Sequence, residues 1–328
     1  MFGIAVQAQP NLNSANNAPA VGQTYIYYGT SWQDPGTSGA AVLWEYNTIG
    51  SSATITLDYI SPAAPANAAT FAGAGATVAS DDGLGHIFYF KNTPSGFSQV
   101  GDDTLPASIP YADGKTLLAF PCTYGTTWDD SFSASYTAGG NPAVRSGHIT
   151  GNADGYGTLT MPYAVIDNVL RVHTVDSTND LVAGILSISN VIDRYSWYKT
   201  WLPVPLLITQ TKALSTGGGA PVITSYTQWL DGDVVGIAEH SRDAFGAQLF
   251  PNPANDEVTL TFGIDQTTSM TMDVIDALGR TIKHDQLGTL ALGFQQHTFD
   301  AHSLSAGLYT VRLHDALGHA SNVQLMVQ

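Results

Sequence analysis

"LFPNPANDEVTLTF", residues 249–262, sets two prolines around an asparagine and then alternates apolar and polar residues. Pro251 and Pro253 have no backbone N–H and push Phe250 and Asn252 toward extended conformations. The stretch therefore reads as a stiff lead-in that ends whatever sheet precedes it. Val258, Leu260 and Phe262 then share one face, with Glu257, Thr259 and Thr261 on the other, which predicts a half-buried strand. The pattern continues: Met270, Met272 and Val274 run into "DALG" at 276–279, and Tyr309, Val311 and Leu313 run into a second "DALG" at 315–318. Each Asp can open a type I turn, and each Gly can take the left-handed position that closes a bulged hairpin. With Val323, Leu325 and Val327 in a last strand, residues 249–328 are expected to form a small immunoglobulin-like β-sandwich. The joint before it is "EHSRDAFGAQ", 239–248.

Upstream, short strand-like runs recur: "AVLWEYN", "TITLDY", "HIFYF", "TLLAF", "SFSASY", "GTLTMP", "VLRVHT", "ILSIS", "RYSWY", "PLLIT" and "VITSY". Turn signals such as "DDGLG", "ADGK", "TAGGNP", "NADGYG" and "STGGGAP" separate them. Runs of this spacing predict a large β-sandwich over 23–238, as one domain or as two split near Pro121. Residues 9–22, polar and rich in Asn and Pro, read as an irregular segment. The fold class expected is all-β throughout.

Composition narrows the function. Charged residues make up 12% of the chain, about half the usual ~25%. The net charge of −16 speaks against nucleic acid, whose phosphates need Lys and Arg, and against docking on bare anionic lipid. Cys122 is the only cysteine; set in apolar "LLAFPCTYG", it reads as a buried, inert thiol. No apolar run is long enough for a transmembrane helix. Residues 1–8, "MFGIAVQA", resemble the tail of a secretory signal peptide, with Val6 and Ala8 small enough for the −3 and −1 cleavage positions.

Three blocks in order, "LFPNPANDEVTLTF", "MDVIDALGRTI" and "LSAGLYTVRL", resemble the type A C-terminal sorting domain of the type IX secretion system of Bacteroidota. The motif positions carried over are Pro251, Asn252, Pro253, Gly279, Gly307 and Tyr309. The resemblance implies export across the inner membrane, recognition of the last domain by an outer-membrane translocon, and its removal within 239–248 by a sortase-like protease. The mature part would then be secreted or anchored to surface lipopolysaccharide. The last strand, "SNVQLMVQ", departs from the family in lacking a lysine common near its end. The body more faintly resembles secreted proteins that carry the same tag and have no assigned activity.

No G-x-S-x-G, H-E-x-x-H, P-loop or zinc-spaced set occurs, and no cofactor is expected. His86, His148 and His173 stand singly and read as structural. The carboxylates Asp81–Asp82, Asp102–Asp103, Asp129–Asp130 and Asp231–Asp233 sit at turn signals, where Asp is favoured anyway. A hydrolase would need two of them converging, and Asp231 with Asp233 is a weak calcium candidate. Aromatics give another lead. Tyr25, Tyr27, Trp32, Tyr195, Trp197, Tyr198 and Trp201 could stack on sugar rings if exposed. The expectation is a non-enzymatic secreted or surface protein for extracellular binding or surface structure. A carbohydrate-binding module and a hydrolase are the alternatives.

Overall fold

The computed structural model describes residues 9–104, 107–232, 245–264, 267–276, 279–315 and 320–328. Its contacts divide the chain into two compact units, Met1–Val234 and Val235–Gln328. The first contains β1 (Thr24–Ser31), β2 (Gly39–Glu45), β3 (Ala53–Ile60), the short helix α1 (Ala68–Phe71), β4 (Val78–Asp81), β5 (His86–Thr93), β6 (Gly96–Thr104), β7 (Ala107–Ala119), β8 (Thr127–Ala138), β9 (Asn141–Thr160), β10 (Val165–Val182), β11 (Leu186–Lys199), β12 (Leu207–Thr216) and β13 (Val222–Leu230).

Hydrogen bonding runs β10–β11–β12–β13–β1–β3–β4–β5–β6–β7–β8–β9, and β9 pairs back onto β10. Twelve strands thus close into a β-barrel. This corrects the expected fold class: the chain is all-β, but the large β-sandwich and the immunoglobulin-like assignment do not stand. The reason is physical. A sandwich and a barrel impose the same two-residue alternation on each strand, and only the long-range partner of the outermost strand separates them. Here closure removes the free edges that a sandwich keeps. β2 lies outside the ring and pairs in parallel with the second half of β9, where β8 has already left that edge. β7 and β8, on either side of Pro121, are neighbours in this one sheet.

Local chemistry explains several strands. Phe132 and Trp128 of β8 face Gly147 and Gly151 of β9 directly. A Cβ on either glycine would fall 2.2 Å and 2.1 Å from those rings, so the glycines make room for aromatic cover. At Gly157 a Cβ would meet the Val42 carbonyl oxygen at 1.9 Å, which is how β2 approaches so closely. Apolar clusters line the wall. One gathers Leu12, Leu118, Phe120, Cys122, Ala153, Leu170 and Val172, and a second centres on Phe132 and Ile149. Cys122 is fully buried, as expected.

The second unit has β14 (Gln248–Phe250), β15 (Glu257–Ile264), β16 (Thr268–Ile275), β17 (Thr281–Leu290), β18 (Gly293–Asp300), β19 (Gly307–Asp315) and β20 (Ala320–Val327). They form two sheets, ordered β14–β15–β18 and β17–β16–β19–β20. Both contribute to one core built on Val258, Leu260, Phe262, Met270, Met272, Val274, Val311, Leu313 and Leu325. These are the residues whose alternation marked the strands.

Candidate functional site

The tail motif acquires a mechanical role in three dimensions. Asn252 lies beside the last strand, with its side chain standing in for a strand residue. Its Nδ2 donates to the Gln324 carbonyl at 2.8 Å, and the Met326 N–H donates to its Oδ1 at 2.9 Å. Ala254 continues the contact: its N–H donates to the Met326 carbonyl (2.8 Å) and its carbonyl accepts from Gln328 N–H (2.9 Å). The prolines suit this lead-in because neither Pro251 nor Pro253 has an N–H to satisfy. A side-chain amide has one donor and one acceptor at the spacing a strand edge needs, so Asn252 covers an edge that would otherwise invite pairing.

Gly279 has φ +81°, and its N–H donates to the Asp276 carbonyl at 2.9 Å. The Asp276 carboxylate accepts from the Arg280 N–H and from its Nε, at 2.9 and 2.8 Å. This is the expected Asp-to-Gly turn. Most of the second "DALG" lies outside the described residues. The Tyr309 hydroxyl donates to the Ser305 carbonyl at 2.8 Å, tying the start of β19 to the loop before it. Gly307 has no left-handed φ and only ordinary neighbours; nothing in the structure explains a glycine there. Residues 239–244 of the joint, Asp233 and residues 1–8 are outside the described residues.

The barrel interior holds a charged group that sequence reading missed. Lys115 of β7 reaches Asp176 of β10 at 2.7 Å, both buried. Arg145 of β9 holds Asp180 through two bonds, 2.7 and 2.8 Å, lies 3.7 Å from Asp102 of β6 and donates to the Tyr111 hydroxyl at 3.3 Å. Arg145 and Asp180 are direct partners on adjacent strands, but Lys115–Asp176 and Arg145–Asp102 join strands three apart in the ring, which at ~4.8 Å spacing meet only through the concave side, so these two contacts cross the lumen. Burial pulls the Lys115 ammonium below the usual lysine value, against the charge and hydrogen bond of Asp176. For Arg145 burial also opposes the charge, but the Asp180 bond, Tyr111 and Asp102 outweigh it and hold the guanidinium up. A sequence signal existed: Arg145 has the parity of Ala143 and Ile149, the buried face of β9.

A second group holds the segment around β2 against the barrel wall. Arg171 is 1% exposed. It donates to Asp154 at 2.8 and 2.9 Å and to the carbonyls of Pro35 and Gly36. Its guanidinium lies 5.1–5.7 Å from the ring centroids of Trp44, Tyr195 and Trp197.

The proposed stacking aromatics scatter accordingly. Trp197, Tyr27 and Tyr25 are 0%, 4% and 7% exposed and offer no face to a ligand. Tyr195 is stacked on His173, centroids 4.1 Å apart; Tyr198 and Trp201 are half-buried, and only Trp32 is exposed. The adjacent carboxylates are separated by strand alternation. Asp102 approaches Arg145, whereas Asp103 accepts from Asn67 and Ser108. Asp130 accepts from the Thr116 N–H, whereas Asp129 meets His148. Asp81 and Asp82 accept from the N–H groups of their own turn. Asp231 accepts from the Tyr28 hydroxyl at 3.1 Å. Among the described residues no group of three His, Cys, Asp or Glu is placed to hold a metal ion, and no helix is long and apolar enough to cross a membrane. His86, His148 and His173 each meet an aspartate, at 2.7, 2.8 and 2.9 Å.

Comparison with known proteins bears on the tail. Residues 248–328 match the family described as the secretion system C-terminal sorting domain. No curated protein matches. Among solved structures the chain is similar to PorZ, described as an essential bacterial surface component of the type-IX secretion system of Porphyromonas gingivalis. Identity is 9%, and the match covers 74% of this chain and 50% of that one, at a TM-score of 0.21. This chain thus spans about half the length of that relative. Residues 248–328 thus form a C-terminal sorting domain of the type IX secretion system, and this tail supports secretion of the chain by that route.

Proposed function

We propose that the chain is a non-enzymatic cell-surface protein whose barrel builds surface structure by meeting other copies of itself. The observation carrying this is one end of the barrel. The hairpins β8–β9, β10–β11 and β12–β13 are formed by strands adjacent in the ring, so their tips lie on one side. Residues 131–144, 181–192 and 213–230 contain no Asp, Glu, Lys or Arg. Val144, Leu181, Leu186, Val222 and Ile223 are exposed there, and Ile185 is 87% exposed. Two molecules of net charge −16 repel over most orientations. An uncharged aliphatic end is where they can approach, and burying it is favourable. The charged groups of the lumen, meanwhile, are spent on one another, which supports a binding rather than a catalytic role.

Sedimentation velocity on the full chain tests this. Wild type should show concentration-dependent association, and Ile185→Asp with Val222→Asp should abolish it while the thermal melt stays unchanged. A wild type that stays monomeric at surface-layer concentrations removes the reading.

A further inference from the structure

We infer that the barrel wall is built to open at one seam, between β7 and β8, and that Asp130 and Trp128 are the latch that holds it shut. Each residue of β8 has a partner on β9, from Thr127↔Asn152 to Ala138↔Asn141. On its other side β8 shares a single registered pair with β7, Tyr111↔Ala134, although β7 has 13 residues and β8 has 12. Antiparallel neighbours of that length ordinarily form a continuous ladder. β7 is loose on its far side too. Its pairing with β6 jumps from Gly101↔Pro110 to Gln99↔Lys115, so residues 111–114 leave that ladder opposite Val100 alone.

Two side chains of β8 take the ladder's place at Thr116. Its N–H donates to the Asp130 carboxylate at 2.8 Å, and its carbonyl accepts from Trp128 Nε1 at 3.0 Å. A side chain spans a wider gap than backbone groups can, and a change of rotamer releases it without unfolding either strand. Space for the movement lies beside the seam. A half-open pocket of about 550 Å3 is lined by residues 110–114 of β7, Ser98 and Val100 of β6 and Thr70 of α1. Behind the latch lies the buried pair Lys115–Asp176, with the Lys115 ammonium 5.3 Å from the Phe132 ring of β8. Asp176 Oδ1 is buried and has no hydrogen-bond partner among the described residues. A buried carboxylate oxygen without a donor is costly, and an opening at Thr116, next in sequence to Lys115, lets water or a small polar solute reach it. The seam is therefore the lateral way into the charged part of the lumen, and it is independent of how the hairpin end or the tail is used.

The test is native-state hydrogen exchange on the full chain, read by mass spectrometry in increasing sub-denaturing urea. Amides of 115–118 should exchange through a local opening that urea does not accelerate, whereas amides of the β9–β10 ladder should exchange through urea-dependent unfolding. Asp130→Ala should speed exchange at 115–118 about tenfold or more, the effect of losing one charge-assisted hydrogen bond, and leave β9–β10 as in wild type. Trp128→Phe keeps a ring against Gly151 and loses the donor; it should speed exchange at the same residues about fivefold. Acetylation of Lys115 by a water-soluble amine-reactive ester should rise in the same order, with the exposed Lys91 as internal standard. Exchange at 115–118 that proceeds only through global unfolding overturns the seam. So does exchange in both variants equal to wild type, or acceleration spread evenly over the barrel. Lys115 as slow to react in Asp130→Ala as in wild type overturns the lateral way into the lumen.

Discussion

Arg171→Met is the most informative single change in the body. The guanidinium makes two bonds to Asp154 and two to the carbonyls of Pro35 and Gly36, and three aromatic rings surround it. Methionine fills similar volume but supplies none of the donors. Removing one member of a buried ion pair costs about 3–5 kcal/mol, because the partner charge is stranded. The Asp154 side chain is 13% exposed, so water relieves it only in part. Pro35 and Gly36 lose a donor as well, at about 1 kcal/mol each when water can reach them. These terms overlap, and a net loss of about 4 kcal/mol is expected. Arg171→Met with Asp154→Asn should recover about 2 kcal/mol, since no buried charge is then left alone. The assay is urea unfolding followed by tryptophan emission. All 6 tryptophans lie in the first unit, so the signal reports the barrel and not the tail. A single-variant loss below about 1 kcal/mol, or a double variant as unstable as the single, would refute the reasoning.

Two further expectations concern the barrel. Gly157→Ala would drive a Cβ into the backbone of Val42, 1.9 Å from its carbonyl oxygen and 2.5 Å from its nitrogen. No rotamer change relieves a backbone clash, so β2 should lose its parallel pairing at a cost of about 2 kcal/mol; amide exchange across 39–45 should accelerate, and unchanged protection there would refute the contact. In alkali, burial raises the Cys122 thiol from its ordinary 9.0 to about 12, and Tyr25 and Tyr198 from 10.0 to about 12. Between those values the unfolded chain binds fewer protons than the folded one, so stability is full below pH 9 and falls as pH rises to 12. Cys122→Ala should flatten the first part of that decline. Stability constant from pH 9 to 11 would contradict it.

The tail shows how far sequence reaches. Its strands were legible because one face of each is packed and the other is wet, and that contrast is written locally as Val258–Leu260–Phe262 or Met270–Met272–Val274. The turn at Asp276–Gly279 was legible for a similar reason: a left-handed φ of +81° is a local demand that glycine meets. The place of Asn252 was visible too, but its purpose was not, because its partners sit on a strand 72 residues away. The aromatic cluster misled for the opposite reason. "RYSWYKTW" offers rings, and nothing local tells a ring that faces solvent from Trp197, shut away beside Arg171.

By itself, then, the sequence determined that the chain is all β and that its last part is a sorting tail of the type IX route. Each of these rests on residues close together along the chain. Tertiary structure decided that the body is a barrel, that Lys115, Arg145 and Arg171 are interior charges with fixed partners, and that the tail motif closes on its own last strand. Those depend on which distant strand completes a sheet. Alternation records only that a face is buried, and is silent about what it is buried against.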